Sequence, residues 1–180
     1  MKRSDGFVRL DKSIHDRASF DCGEAELNEF LQRHAARHME AGISTTMVLP
    51  AAEALPDGKF PICAFYTVAP GSIARETLPA SLKKKLPYYP VPVFLIGQLA
   101  VHTECKGQGL GKITLVKALE YLWHVSEYMK AFAVVVDCLN DSVEGFYSQY
   151  GFQLLYRSEG RARMFLPMTT VKELFSNTSS

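Results

Sequence analysis

Apolar residues recur at helical spacing in two segments of the chain. The first segment begins at Asp21, a suitable capping residue, has Glu24 at the position of a capping-box glutamate, and ends at Gly42. The second follows a group of glycines and continues to about Tyr128. The apolar positions of the two segments are Leu27, Phe30, Leu31, Ala35 and Met39, and then Ile113, Val116, Leu119, Leu122 and Trp123. This spacing predicts two amphipathic helices.

Shorter apolar runs predict strands between and after these helices. The run 132–137 is so rich in valine that we expect a strand buried on both faces. A short helix is predicted from 142 to 150. The other strands are predicted over 45–49, 60–68, 94–102, 152–156 and 163–166. This order of elements predicts an α/β or α+β fold with one mixed sheet and helices on its faces.

Length and composition indicate one folded domain spanning residues 1–180. The chain of 180 residues falls within the range of about 100–200 residues that is usual for a domain. Its 47% hydrophobic and 22% charged residues are typical of a folded protein. The net charge of +1 excludes an acidic tail protein and a uniformly basic nucleic-acid coat, but it is compatible with a local basic patch.

The sequence favours a cytoplasmic location. No apolar run approaches the ~20 residues of a membrane-spanning helix, and no apolar stretch follows the basic residues near the N-terminus. The four cysteines are widely separated and form no CxxC pair. We therefore expect free thiols in a reducing compartment rather than a disulfide framework or a zinc ribbon.

The most informative segment joins the strand 94–102 to the second long helix. Three glycines stand at alternate positions, Gly107, Gly109 and Gly111, with Lys106 and Lys112 on either side. Glycine lets a backbone approach a ligand closely, and the N–H groups at a helix N-terminus bind anions. The segment therefore predicts a pyrophosphate site, with a merely flexible helix entry as the alternative. Its spacing fits neither Walker A nor the dinucleotide-binding fingerprint.

Two motifs resemble those of the GNAT N-acetyltransferases. The run 106–111 (KGQGLG) is similar to the family's Gln/Arg-x-x-Gly-x-Gly/Ala loop, with Lys106 where Gln or Arg is usual. Residues 140–152 (NDSVEGFYSQYGF) resemble the family's signature of an Asn followed by Phe-Tyr-x-x-x-Gly-Phe. One helix and one strand separate the two motifs, as in the family. The resemblance implies the GNAT fold, whose mixed sheet is mostly antiparallel and flanked by helices.

The resemblance also implies acetyl-CoA as the co-substrate and assigns roles to residues. Tyr147 is the candidate general acid for the departing thiolate, because a phenol with a pKa near ~10 is protonated at pH 7. Its alternative role is packing in the core. The backbone of Leu99 and Val101 would hold the pantetheine and the acetyl carbonyl, and Asn140 would bind the cofactor or cap the next helix. The implied cofactor-binding residues are Leu99, Val101, Lys106, Gly107, Gly109, Leu110, Gly111, Lys112, Asn140 and Phe146.

Further segments narrow the resemblance to one branch of the family. Three pairs of segments carry this narrower resemblance: residues 20–23 and 27–31, residues 89–93 and 98–101, and residues 164–167 and 174–175. Members of this branch are toxins of bacterial toxin–antitoxin pairs that acetylate the amino acid on charged tRNA. Gln98 stands where many members have arginine, which we interpret as a difference in substrate contact. The resemblance implies an aminoacyl-tRNA substrate, a ribbon–helix–helix antitoxin as partner, and a homodimer.

Two basic segments are candidates for tRNA binding. Residues 75–85 contain four cations against one carboxylate, and residues 157–163 contain three against one. These segments could receive tRNA phosphates or form only a solvated surface. Tyr88 and Tyr89 could stack on unpaired bases of the acceptor end or serve in packing. The predicted tRNA-binding residues are Arg75, Lys83, Lys84, Lys85 and Arg161.

No general base is evident in the sequence. His102 is a candidate, but such a histidine is more often structural, and a free α-amine with a pKa of ~7.7–8.0 needs little help. Together His102, Glu104 and Cys105 form a poor metal site without a distant ligand, so no metal is expected.

Two alternatives to tRNA acetylation stay open. One is acetylation of a small amine or a protein N-terminus, and the other is non-catalytic binding of acetyl-CoA.

Overall fold

The computed structural model describes residues 1–177, which form two compact units. Unit 1 comprises Met1–Ala69 and Gly97–Ala118. Unit 2 comprises Pro70–Ile96 and the described residues from Leu119 onward. None of the helices within residues 1–177 is long and apolar enough to cross a membrane.

The described residues contain eight strands and six α-helices. The strands are β1 (Val8–Arg9), β2 (His15–Asp16), β3 (Thr45–Pro50), β4 (Phe60–Ile73), β5 (Val91–Val101), β6 (Ala133–Asp137), β7 (Gln153–Ser158) and β8 (Arg161–Pro167). The helices are α1 (Ala25–Glu29), α2 (Ala35–Glu40), α3 (Ala80–Lys83), α4 (Leu110–Val125), α5 (Asp141–Gln149) and α6 (Met168–Ser176). A π-helical turn, Phe30–His34, joins α1 to α2, and 3-10 turns occupy Arg75–Thr77 and Thr103–Cys105.

The eight strands form a mixed sheet. In unit 1, β3 pairs antiparallel with both β1 and β4, and β2 pairs parallel with β4. In unit 2, β6 pairs parallel with β5 and antiparallel with β8, which itself pairs antiparallel with β7. The α/β class and the mixed, mostly antiparallel sheet expected from the sequence are confirmed.

Each unit has an apolar core of its own. In unit 1, Phe20 packs edge-to-face on Phe65 with ring centroids 5.3 Å apart. In unit 2, Val135 of β6 lies opposite Phe165 of β8, and both are buried. Residues 133–136 of β6 are all buried, which confirms the prediction from the valine-rich run. Because burial of each large apolar side chain contributes about 1.5–3 kcal/mol, these cores fix the strands next to the candidate site.

The first helix begins later than the sequence predicts. It starts at Ala25, and the residue at its N-cap, Glu24, makes no side-chain capping bond. The prediction of Asp21 as the cap was therefore wrong. Asp21 Oδ1 instead accepts hydrogen bonds from Gly23 N at 2.8 Å and Asn28 Nδ2 at 2.9 Å. Gly23 has a φ of +86°, so it turns the chain before the helix can start.

Other boundaries differ from the predictions at the ends of elements. Strand β5 begins at Val91 instead of residue 94, although Pro92 lacks an N–H group. The first β5–β6 pair is Val93 with Ala133, so the ladder does not need that N–H. Helix α4 ends at Val125 instead of about Tyr128, and α6 is an additional helix that the sequence analysis did not predict.

Candidate functional site

The glycine segment of unit 1 forms a loop that leads directly into helix α4. Gly107 and Gly109 have φ values of +78° and +71°, a conformation that strongly favours glycine. A Cβ atom at either position would meet no protein atom within 4 Å, so the space beside the loop is open. The two glycines thus shape an open loop at the start of α4.

The N-terminus of α4 completes the candidate anion site. Gly109 is the acceptor for Ile113 N at 3.2 Å, so the helical hydrogen bonds begin there. The N–H groups of Leu110, Gly111 and Lys112 precede that bond and have no partner within the helix. Together with the helix dipole of a 16-residue helix, they can bind a pyrophosphate.

Lys106 has a contact that the sequence does not reveal. Its Nζ donates a 2.5 Å hydrogen bond to the carbonyl oxygen of Cys22, which lies 84 residues away in the chain. The ammonium group therefore ties the glycine loop to the segment that precedes α1. In this conformation Lys106 positions the loop, while the exposed Lys112 lies in the first turn of the helix.

We expect Lys106→Met to weaken CoA binding about tenfold, because one partly buried hydrogen bond to a charged group contributes about 1.5 kcal/mol. Isothermal titration calorimetry with CoA measures the affinity, and thermal unfolding measures the loss of stability. A loss as large as that caused by reshaping the glycine loop itself would show that the ammonium contacts the pyrophosphate directly.

The last residues of β5, just before the loop, lie beyond the β5–β6 ladder. Among the described residues, the β5–β6 ladder runs from Val93 to Ile96 and includes no residue beyond Ile96. The backbone groups of Leu99 and Val101 are therefore not used in that ladder, although both residues belong to β5. Backbone groups on the side of a strand that lies beyond its ladder are suited to hydrogen bonds with an extended ligand.

His102 has structural contacts within unit 1. Its Nδ1 accepts a hydrogen bond from Glu104 N at 3.1 Å, which caps the 3-10 turn. Its buried ring packs edge-to-face on Phe20, with ring centroids 5.6 Å apart. These contacts give His102 a structural role, which is the role that the sequence favoured. Cys105 is also buried, and no group of three possible metal ligands occurs among residues 1–177.

The second motif forms its own cluster in unit 2. Asn140 Oδ1 accepts a hydrogen bond from Val143 N at 3.0 Å and caps α5, which is the alternative role that the sequence allowed. Its side-chain amide nitrogen is the group that can still bind a cofactor. Tyr147, on the same helix, is only 5% exposed. Its ring lies 5.2 Å from Phe146 and 5.1 Å from Phe152, measured between centroids.

Burial also determines the protonation state of Tyr147. The loss of solvent raises the pKa of its hydroxyl above the usual value, and Cys138 nearby acts in the same direction. The phenol therefore stays neutral throughout the physiological range and retains a proton that it can donate. Packing and chemistry are compatible here, because the aromatic neighbours that bury the ring also fix its orientation.

Both basic segments lie in unit 2. They differ in how many of their positively charged side chains are already paired with a carboxylate. Arg157 donates two hydrogen bonds to Glu144, and Arg163 donates two to Asp137. These pairs offset most of the charge of residues 157–163, where Arg161 is exposed. In residues 75–85, Lys84 and Lys85 are exposed and Lys83 is half-buried at the end of α3. This segment is therefore the stronger candidate for phosphate contacts.

Parts of this surface are not evident in the sequence. Arg75, Tyr88 and Tyr89 were candidates, but Lys130 and Phe132, which line one cavity with Tyr89, were not. No local pattern could have indicated this grouping, because about forty residues separate the two segments. The structure brings together the loop residues within unit 1, and it brings together Asn140, Phe146 and Tyr147 within unit 2.

The glycine loop at the N-terminus of α4 in unit 1 and the buried Tyr147 of α5 in unit 2 are the two features that the sequence associates with acyl transfer. Residues 79–152 match the acetyltransferase (GNAT) family. A tRNA-acetylating toxin of Mycobacterium tuberculosis is 30% identical over 140 residues, which are 77% of this chain and 79% of that protein. The chain belongs to the GNAT acetyltransferase family.

Solved structures agree with this assignment. AtaT complexed with acetyl-methionyl-tRNAfMet is 28% identical and superposes with a TM-score of 0.82, covering 94% of this chain and 98% of that one. AtaTR bound with AcCoA is 29% identical with a TM-score of 0.80, covering 94% of this chain and 97% of that one. The likeness extends over nearly the whole chain and therefore includes both motifs.

Proposed function

We propose that this protein transfers the acetyl group of acetyl-CoA to the α-amino group of the amino acid on charged tRNA, and that it acts as a toxin by blocking translation. The observation that carries the proposal is the similarity to the tRNA-acetylating toxin of M. tuberculosis over more than three quarters of the chain. The similarity to AtaT in complex with acetyl-methionyl-tRNAfMet supports the same substrate. The open cradle formed by Gly107 and Gly109 fits the pyrophosphate of acetyl-CoA.

In the proposed mechanism, backbone groups hold the acyl donor. The N–H groups of Leu110, Gly111 and Lys112 bind the pyrophosphate, and Lys106 positions the loop. The backbone groups of Leu99 and Val101 bind the pantetheine and stabilise the negative charge that develops on the acetyl carbonyl oxygen. Asn140 and Phe146 contact the same co-substrate.

Tyr147 supplies the proton that the leaving group needs. The amine nitrogen of the substrate attacks the acetyl carbonyl, the C–S bond breaks, and the sulfur takes the phenolic proton of Tyr147. The nitrogen releases its own proton, which restores the phenol, so the products are an amide and the free thiol of CoA. A dedicated base is unnecessary, because an α-amine with a pKa of ~7.7–8.0 is partly neutral at pH 7.

A direct test is incubation of the protein with labelled acetyl-CoA and either aminoacylated or deacylated tRNA. We expect label in RNA only when the tRNA is aminoacylated, and we expect none with the Tyr147→Phe protein. Label on a small amine or on protein N-termini, with none on aminoacyl-tRNA, would favour the alternative acetyltransferase functions. CoA binding without transfer to any amine would indicate a non-catalytic module.

The proposed tRNA-binding residues are Arg75, Lys83, Lys84, Lys85 and Arg161. We expect Lys84→Ala combined with Lys85→Ala to weaken tRNA binding and to leave CoA binding unchanged. Because each duplex phosphate contact contributes about −0.9 to the slope of log affinity against log salt, the double variant should lose about two units of slope.

Filter binding over a range of salt concentrations measures that slope. Lys172→Ala, at an exposed position of α6, is a control that should leave it unchanged. An unaltered slope in the Lys84 and Lys85 double variant would show that these lysines form only a solvated surface.

The proposal extends to the organisation of the protein. Residues 1–180 act as a single acetyltransferase domain in the cytoplasm, where charged tRNA is found. A toxin of this kind needs a neutralising partner, which we propose to be a ribbon–helix–helix antitoxin, and the toxin itself forms a homodimer. Co-expression and sedimentation measurements test these two assemblies separately.

A further inference from the structure

The loop between α3 and β5 exposes two aromatic side chains. Tyr88 is 88% exposed and Tyr89 is 64% exposed, although large aromatic residues are usually well buried. Pro87 and Pro90 flank the pair and restrict the backbone of the loop. The packing role that the sequence left open therefore does not apply to Tyr88, and its ring needs another explanation.

Arg75 holds the ring of Tyr88 from one side. The guanidinium carbon lies 4.1 Å from the centroid of the Tyr88 ring, within the range of a cation–π contact. Arg75 Nε also donates a 3.2 Å hydrogen bond to the carbonyl oxygen of Leu86 in the same loop. The arginine is thus fixed at one end and stacked at the other, so it orients a ring that is otherwise open to solvent.

An apolar cavity of about 330 Å³ lies in the same loop region, close to the lower end of the usual size for small-molecule sites, about 300–1,000 Å³. Its wall includes the aromatic rings of Tyr89 and Phe132 and the exposed cation Lys130. The remaining lining residues are Leu86, Pro87, Pro90, Val91, Pro92 and Ala131. Leu86 and Phe132 also pack against the core of unit 2, which anchors the wall.

The positive charge around this cavity indicates what kind of molecule binds there. Lys84, Lys85 and Lys130 are all exposed, and Glu76 is the one carboxylate in residues 75–85. A second copy of the chain would bring the same cations to a shared face, where they would repel one another. An unpaired segment of RNA offers both flat apolar bases and phosphate groups, so it complements the rings and the cations together.

We propose that Tyr88, oriented by Arg75, stacks on an unpaired nucleobase at the 3′ end of the RNA substrate, and that the cavity beside Tyr89 binds the neighbouring nucleotide. This inference rests on the proposed function, since it assigns the subsite for the single-stranded end that carries the amino acid. The cations bind the phosphates of the same segment, and the rings recognise that its bases are unpaired.

The test compares two RNA hairpins that differ only in a short unpaired 3′ end. Fluorescence binding is measured with the wild-type protein, Tyr88→Ala, Tyr88→Phe and Tyr128→Ala. Tyr128 is 91% exposed and does not line the cavity, so it is an exposure-matched control. Because stacking contributes about 1–3 kcal/mol per base, Tyr88→Ala should weaken binding of the tailed hairpin roughly 5- to 150-fold.

The expected pattern separates stacking from other roles. Tyr88→Ala should leave binding of the blunt hairpin and the salt slope unchanged, while Tyr88→Phe and Tyr128→Ala should bind both hairpins like the wild type. An equal loss for both hairpins, or no loss for either, would overturn the proposal. So would a change in oligomeric state on sedimentation with unchanged RNA affinity, which would identify a second copy as the occupant.

The binding assay needs neither an amino acid on the RNA nor acetyl-CoA. Tail-specific binding without acetyl transfer by the wild type would refute the proposed function while supporting the stacking site. Acetyl transfer to aminoacyl-tRNA by a Tyr88→Ala protein with wild-type kcat and KM would refute the stacking site while supporting the proposed function.

Discussion

Tyr147→Phe should keep the fold and CoA binding but lose turnover by about 10²–10⁴-fold, the usual contribution of general acid catalysis. The substitution removes only the hydroxyl, and the remaining ring fits the same space between Phe146 and Phe152. Calorimetry with CoA measures binding, and acetylation of aminoacyl-tRNA under single-turnover conditions measures the chemical step.

Tyr150→Phe provides a matched control for this experiment. Tyr150 follows α5 directly and packs against Phe146 with centroids 5.1 Å apart, so it shares the aromatic surroundings of Tyr147. We expect this variant to retain wild-type turnover. If the Tyr147 variant also retained turnover within a few-fold, with chemistry shown to limit the rate, Tyr147 would not be the acid.

The pH dependence of the rate offers an independent check. Burial raises the pKa of Tyr147 and favours its neutral form, so the proton is present at all pH values below the ordinary phenol pKa of about 10. The single-turnover rate should therefore show no decline caused by loss of this proton below about pH 10. A decline between pH 7 and 9 that disappears in the Phe variant would contradict this assignment.

Gly109→Val should abolish CoA binding, with a loss of at least ~100-fold in affinity. The φ of +71° at this position is strained for any β-branched residue, so the loop must change shape and withdraw N–H groups from the pyrophosphate. No protein atom lies within 4 Å of the position of a new Cβ, so the expected effect comes from the backbone and the ligand. Calorimetry with CoA measures the affinity after circular dichroism has confirmed folding.

Gly58→Val is the control for backbone strain alone. Gly58 has a φ of +83°, open space around it and a position in the exposed loop between β3 and β4. Both substitutions should lower the free energy of unfolding by a similar amount, but only Gly109→Val should abolish CoA binding. Unchanged affinity in the folded Gly109 variant would mean that the loop is only a flexible entry to α4.

Patterns within continuous stretches of the sequence predicted most of the helices and strands and both motifs. The valine-rich run became the buried strand β6, and the glycines at alternate positions became an open loop before α4. The segment 142–150 became α5, with Asn140 as its cap. These features depend on neighbouring residues, because periodicity, capping and positive φ are local properties.

Predictions from local patterns failed where another residue competes for the same group. Asp21 has the chemistry of a helix cap, but the turn at Gly23 and the side chain of Asn28 engage its carboxylate instead. Arg157 and Arg163 add to a basic segment in the sequence, yet Glu144 and Asp137 bind them in the fold. Sequence composition counts charges but does not show which of them are paired.

The sequence by itself determined the class of fold, the family, and the candidate residues for acetyl transfer. Each of these follows from short stretches of sequence in which the residue types and their spacing form a recognisable pattern. The tertiary structure alone decided which contacts those side chains make. It placed Lys106 on the Cys22 carbonyl, buried the ring of Tyr147 and left that of Tyr88 in solvent beside Arg75. Burial and long-range contacts depend on which segments pack together, and that pairing is set by the whole apolar core rather than by any one segment.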